Sequence, residues 1–161
     1  MDQNYNAITS IVNNLGVVSS PNATNQERIQ ATQFLESIKQ QPTEQVIQLA
    51  TQLVGVQLAG FIRHFGLQLL EHLIKSQWPQ YGPEQKQSIT NTIFTVIKYG
   101  LKDMFAEDSF IKQKVASLLV EVAKREFPQH WPNFFDTVLP FTSIGVTLHF
   151  NVSNVSIEHP N

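Results

Sequence analysis

The sequence predicts an all-α fold, an α-solenoid of about three HEAT-like antiparallel hairpins with a partial fourth. Three observations predict it. Apolar residues recur at three- and four-residue intervals through most of the chain. Prolines and glycines interrupt that pattern often enough to leave helix-length segments between them. Paired as hairpins, the segments repeat on average about every 40 residues, the range of HEAT-type two-helix units. Such a unit cannot cover its own apolar faces, so neighbours must stack.

Each element follows from local chemistry. Ile8, Ile11, Val12 and Leu15 form the first stripe, and Gly16 and Pro21 bracket the turn after it. Thr24-Asn25-Gln26-Glu27 has the form of a capping box. The helix behind it carries Ile29, Ala31, Phe34, Leu35 and Ile38 and stops at Pro42. A third helix starts near Thr43 with Val46, Ile47, Leu49, Ala50, Leu53 and Val54, and Gly55 weakens its end. A fourth, strongly apolar helix starts near Gln57 and reaches Gln77 with Leu58, Phe61, Ile62, Phe65, Leu69, Leu70, Leu73 and Ile74. Trp78-Pro79 and Gly82-Pro83 end it. Pro83 suits the first position of a fifth helix bearing Ile89, Ile93, Phe94, Val96, Ile97 and Leu101. Asp108 or Ser109 caps a sixth, with Ile111, Val115, Leu118, Leu119, Val122 and Ala123, closed by Pro128. A short seventh starts at Trp131-Pro132 and continues through Phe134, Phe135, Val138 and Leu139. Helices two, four and six then line one wall of the stack, and one, three and five the other.

Composition narrows the function. The chain is 42% hydrophobic and 15% charged, which is globular material, and its polarity comes largely from 17 Gln and 11 Asn scattered between apolar positions. A net charge of −2 without a cluster of Lys or Arg disfavours nucleic-acid binding by this segment alone. With no cysteine there is no disulfide, thiolate metal site or cysteine nucleophile, which fits a reducing compartment. The first ten residues lack the basic start and apolar run of a signal peptide, and no stretch approaches the roughly 20 apolar residues of a membrane span. The sequons at Asn22, Asn151 and Asn154 are therefore read as chance. His64 and His72 stand eight apart on one helix, too far for one ion without a third ligand, so neither a metal nor another cofactor is expected. No hydrolase elbow, phosphate-cradling glycine loop or zinc-protease pattern is present. Asp103, Glu107 and Asp108 read as capping and surface acids beside a helix start. No catalytic residue is expected, and the chain does not read as an enzyme.

Two stretches carry a family resemblance together. Residues 62–75, Ile-Arg-His-Phe-Gly-Leu-Gln-Leu-Leu-Glu-His-Leu-Ile-Lys, run to Trp78; later come residues 123–132, Ala-Lys-Arg-Glu-Phe-Pro-Gln-His-Trp-Pro. The first resembles the inner helix of the second repeat in importin-β/exportin transport receptors, the karyopherins. The second resembles their aromatic-Pro-x-x-Trp-Pro junction, and residues 20–24 before an Arg- and Ala-bearing helix are similar to their first repeat. The resemblance covers roughly residues 4–140, so the repeat region is read as 1–140. Residues 141–161 read as a poorly ordered tail unlike the family, with a strand-like alternation of Val146, Leu148, Phe150 and Val152.

The resemblance implies a nuclear transport receptor of the exportin type, shuttling between nucleus and cytoplasm. It implies that the inner helices bind a Ran-type small GTPase in its GTP form. It also implies double-stranded or small structured RNA as cargo, held through further repeats of a full-length receptor, and leaves contact with nuclear-pore proteins open. The candidate GTPase-contacting residues are Gln68, Glu71, His72 and Lys75 on helix four, with Lys114, Glu121, Lys124 and Arg125 on helix six. Trp78, Phe127, Pro128, Trp131 and Pro132 are structural: the prolines end one helix and suit the start of the next, and Phe127 and Trp131 pack across the corner. Two other readings stay open. One is a HEAT scaffold without GTPase binding; the other is a truncated, non-functional fragment, whose uncovered last apolar face would make it self-associate.

Overall fold

The computed structural model describes residues 3–103 and 105–138. Among these residues seven α-helices follow in order: α1 (Gln3–Ser19), α2 (Asn25–Lys39), α3 (Thr43–Leu53), α4 (Gly60–Gln77), α5 (Pro83–Tyr99), α6 (Ser109–Glu126) and α7 (Phe134–Val138). A 3-10 turn, Trp78–Gln80, extends α4. Among the described residues there is no strand, and no helix is long and apolar enough to cross a membrane. The strand-like alternation at residues 146–152 lies outside them.

The hairpins are α1/α2, α3/α4 and α5/α6. They stack through α4 on α6, α1 on α3 and α3 on α5, with α1 also touching α4. One apolar core runs through the stack from Ile11 and Leu15, through Leu53, Leu70 and Ile74, to Ile93, Val115 and Phe134. The predicted solenoid of three hairpins is thus the observed architecture, followed among the described residues by the short α7.

Local chemistry sets the helix starts. Thr24 Oγ1 accepts from the Glu27 amide at 3.2 Å, and the Glu27 carboxylate accepts from the Thr24 amide at 2.7 Å. Arg28 Nη2 donates to the Ser20 carbonyl at 2.7 Å and ties the preceding turn to α2. Pro83 opens α5. Gly66 allows α4 to lie close on α3: a Cβ there would stand 2.8 Å from Val54 Cγ1 and 3.2 Å from the Leu53 carbonyl carbon.

Several expectations need correction. Helix four begins at Gly60 and not near Gln57, because the Leu58 amide turns back to the Gly55 carbonyl at 3.0 Å and Ala59 is extended. Phe61, placed in its apolar set, is 44% exposed, and Ile29 of α2 is 52% exposed. Leu101 follows the end of α5 instead of belonging to it. Asp108 holds the N-cap position of α6 but makes no side-chain cap hydrogen bond. The last helix starts at Phe134, not at Trp131-Pro132, because the His130 and Trp131 amides both return to the Glu126 carbonyl. The largest departure is Glu107: read as a surface acid, it is buried and ion-paired with Arg63.

Candidate partner-binding wall

The inner wall is built on α4 and α6. Its apolar underside is Leu69, Leu70, Leu73 and Ile74 of α4 against the core, with Val115, Leu118, Leu119 and Val122 of α6. Burying that side turns the polar positions between them outwards at three- and four-residue spacing. Gln68, Glu71, His72 and Lys75 accordingly line one shallow groove, together with Ser76 of α4 and Lys39 from the last turn of α2. Four predicted residues are therefore gathered on one face, and α2 contributes to it.

Lys114 joins this set across the hairpin boundary. Its Nζ lies 2.7 Å from Glu71 Oε2, while Lys75 stands at 3.8 Å from the other oxygen of the same carboxylate. Lys114 is thus engaged, and Lys75, half-exposed, keeps its charge available. Glu121, Lys124 and Arg125 form a separate cluster within α6: Glu121 takes Arg125 at 2.7 Å and Lys124 at 3.3 Å. Burial pulls the Glu121 carboxyl upwards, but hydrogen bonds from Arg125 and Lys124 outweigh it and hold the group below its ordinary value. Neighbouring His64 packs edge-on to Phe110 at 5.6 Å. Burial first, then the Lys114 charge, lowers its pKa below the usual histidine value.

The aromatic junction joins the second hairpin to the third. Trp78 is buried, and its indole Nε1 donates to Glu126 Oε1 at 2.5 Å. Lys86 of α5 lies 3.5 Å from the same oxygen and 5.8 Å from the Trp78 ring centroid. The tryptophan that ends the second hairpin is therefore tied to both helices of the third. The Phe127–Pro128 peptide bond is cis. Phe127 and Trp131 both pack on Phe134, with ring centroids at 6.2 and 4.8 Å, and Trp131 also meets Phe94 at 5.6 Å.

Sequence reasoning missed two features. Lys39 had no signal, since only tertiary packing brings the end of α2 beside α4. The Arg63–Glu107 pair spans 44 residues and carried only a faint signal, an arginine inside an otherwise apolar helix. Among the described residues no group of three or more His, Asp or Glu side chains could hold a metal ion.

Comparison with known proteins agrees with this architecture. The family model described as Importin-beta N-terminal domain matches residues 31–98, and that described as Exportin 1-like protein matches residues 108–155. The chain belongs to the importin-β/exportin family, the karyopherins, and corresponds to their N-terminal region. Within the family it is similar to Exportin-5 of Homo sapiens, 32% identical over 133 residues, which cover 83% of this chain and 11% of that protein. Exportin-5 of Dictyostelium discoideum is 27% identical over 140 residues, or 87% of this chain and 12% of the relative. Protein MSN5 of Saccharomyces cerevisiae is 31% identical over 123 residues, 73% and 9% respectively. The chain thus spans only a small part of the length of the curated relatives it matches.

Proposed function

We propose that the inner wall binds a Ran-type small GTPase in its GTP form, within a receptor that carries structured RNA from nucleus to cytoplasm and shuttles between the two. The observation that carries this reading is the gathering of Gln68, Glu71, His72 and Lys75 in one groove, with Lys39 beside them and Lys114 bridged to Glu71. The importin-β N-terminal match supports it, because it covers α4 entirely. RNA would be held by further repeats of a full receptor, since this segment carries a net charge of −2.

The test compares binding of the GTPase loaded with a non-hydrolysable GTP analogue and with GDP. The GTP form is expected to bind more tightly, and Lys75→Gln to weaken that binding without changing stability by more than about 0.5 kcal/mol. Equal affinity for the two nucleotide states would sink the proposal and leave the scaffold reading.

A second contact, with nuclear-pore proteins, is favoured by the outer wall. There α3 and α5 border a groove of about 870 Å³. Its lining includes the buried Val54 and Val96, the exposed Tyr99, the uncharged Gln87, Asn91 and Thr95, and the carboxylate of Glu84. That chemistry suits an uncharged extended segment with apolar side chains.

A further inference from the structure

Arg63 sits in the first turn of α4 and is 1% exposed; Glu107 precedes α6 and is 6% exposed. Nη1 and Nη2 of Arg63 reach the two carboxylate oxygens at 2.8 and 2.7 Å. Nη2 also donates to the carbonyl of Gly100, the residue that caps the end of α5, at 2.8 Å. Glu107 Oε2 accepts from the Lys102 amide at 2.7 Å, and Oε1 from the Asp108 amide at 3.0 Å. One guanidinium on the second hairpin thus holds both ends of the connection inside the third.

A buried ion pair is a poor way to gain stability. Desolvating two charges offsets most of their attraction, and well-packed apolar replacements are often neutral or better. Here Arg63 Nε makes no hydrogen bond, which adds to the cost. What the pair supplies is direction. Apolar packing between α4 and α6 is non-directional, and crossing angles of packed helices scatter by roughly 15–20°. A bidentate guanidinium–carboxylate pair admits little of that freedom. At the far end of α4, Trp78 is fastened to Glu126. Residues 63 and 78 are about 22 Å apart at helical rise, so α4 is pinned to the third hairpin at two well-separated points. Two such points fix a rotation that either alone would leave free.

We propose that Arg63 and Glu107 form a pitch lock, which sets the angle between the second and third hairpins and so the spacing of α4 from α6 across the wall. In a stack, the small rotation at each repeat accumulates into the curvature of the superhelix. The consequence for GTPase affinity rests on the function proposed above; the angular role does not.

Because the chain has no cysteine, Gln77→Cys on α4 and Gln113→Cys on α6 give unique sites for nitroxide labels. Distances between them are measured by pulsed electron resonance in the wild-type background, in Arg63→Met, and in the apolar double replacement Arg63→Met with Glu107→Leu. Circular dichroism checks folding, and the GTPase loaded with a non-hydrolysable analogue is titrated against unlabelled protein. One narrow distance is expected for the wild type, and a second population for both variants, with a several-fold loss of affinity. If Arg63→Met does not fold, the double variant carries the test. A folded double variant with the wild-type distance distribution would overturn the lock. So would failure of the double variant to fold, since the pair would then supply stability and not angle. A broadened distance with unchanged GTPase affinity would uphold the lock and count against the inner wall as the binding face.

Discussion

The inner and outer seams between the second and third hairpins are built differently. On the inner side α4 and α6 lie against each other and are fastened by Arg63–Glu107, Lys114–Glu71 and Trp78–Glu126. On the outer side α3 and α5 spread apart, leaving a groove whose lining, among the described residues, holds one carboxylate, Glu84. The same two hairpins therefore meet tightly along one edge and loosely along the other. The Glu71 and Lys75 face lies on the tight side of this seam, where Lys114 of α6 reaches Glu71 of α4.

The sharpest way to break this comparison is to open the inner seam. Arg63→Met leaves Glu107 buried without its counter-charge and should lower unfolding free energy by about 3–5 kcal/mol, read as a shifted urea midpoint with an unchanged slope. Acid should reach the same contact. Burial pulls the Glu107 carboxyl upwards, yet hydrogen bonds from Arg63, Lys102 and Asp108 and the Arg63 charge together hold its pKa at about 2, below the ordinary 4.5. A depressed folded-state value means that its stabilisation is complete above pH 4.5 and is lost as pH falls from there towards about 2. Denaturation midpoints followed over that interval should fall in the wild type and fall less in the apolar double variant.

The far end of the seam offers a smaller effect. Trp78→Phe keeps the ring but removes the indole donor to Glu126, at a cost of about 1.5–3 kcal/mol. A thermal midpoint equal to the wild type would mean that the indole bond is not needed to hold Glu126, beside which Lys86 and His130 also lie. The outer seam sharpens the contrast from the other side. Asn91, exposed on α5, accepts a local hydrogen bond from Gln87 Nε2 on its side-chain oxygen at 2.8 Å. Asn91→Ala should stay within about 0.5 kcal/mol of the wild type, and a larger loss would show that the outer seam carries more than its open geometry suggests.

Much of the inner seam's apolar side was legible in the sequence, because helical periodicity reports burial one helix at a time. Leu69, Leu70, Leu73 and Ile74 were placed correctly for that reason, and so was the Thr24–Glu27 cap, a contact between near neighbours. Trp78 was read as structural from its place at a helix end. What stayed hidden were partners brought together by stacking. Glu107 beside Asp103 and Asp108 looks like any acidic helix start, and only the tertiary fold supplies the arginine that allows its burial. Phe61 failed for the opposite reason: it fits the apolar period of α4 but lies in the first turn, where the neighbouring hairpin leaves it half uncovered. Of the wall, the four α4 positions follow from their spacing. Lys39 does not, since nothing local records which helix will lie beside it.

The loop from Gly100 to Asp108 carries one more implication, for how this connection can change in length. Surface connections in proteins usually accept insertions. This one is wound on a carboxylate that touches the amides of Lys102 and Asp108 at once. Adding even one residue between those two amides would pull one of them off the oxygen it needs. The turn at Gln40–Pro42, which has no such anchor among the described contacts, is the better place to graft an epitope or a fluorescent tag.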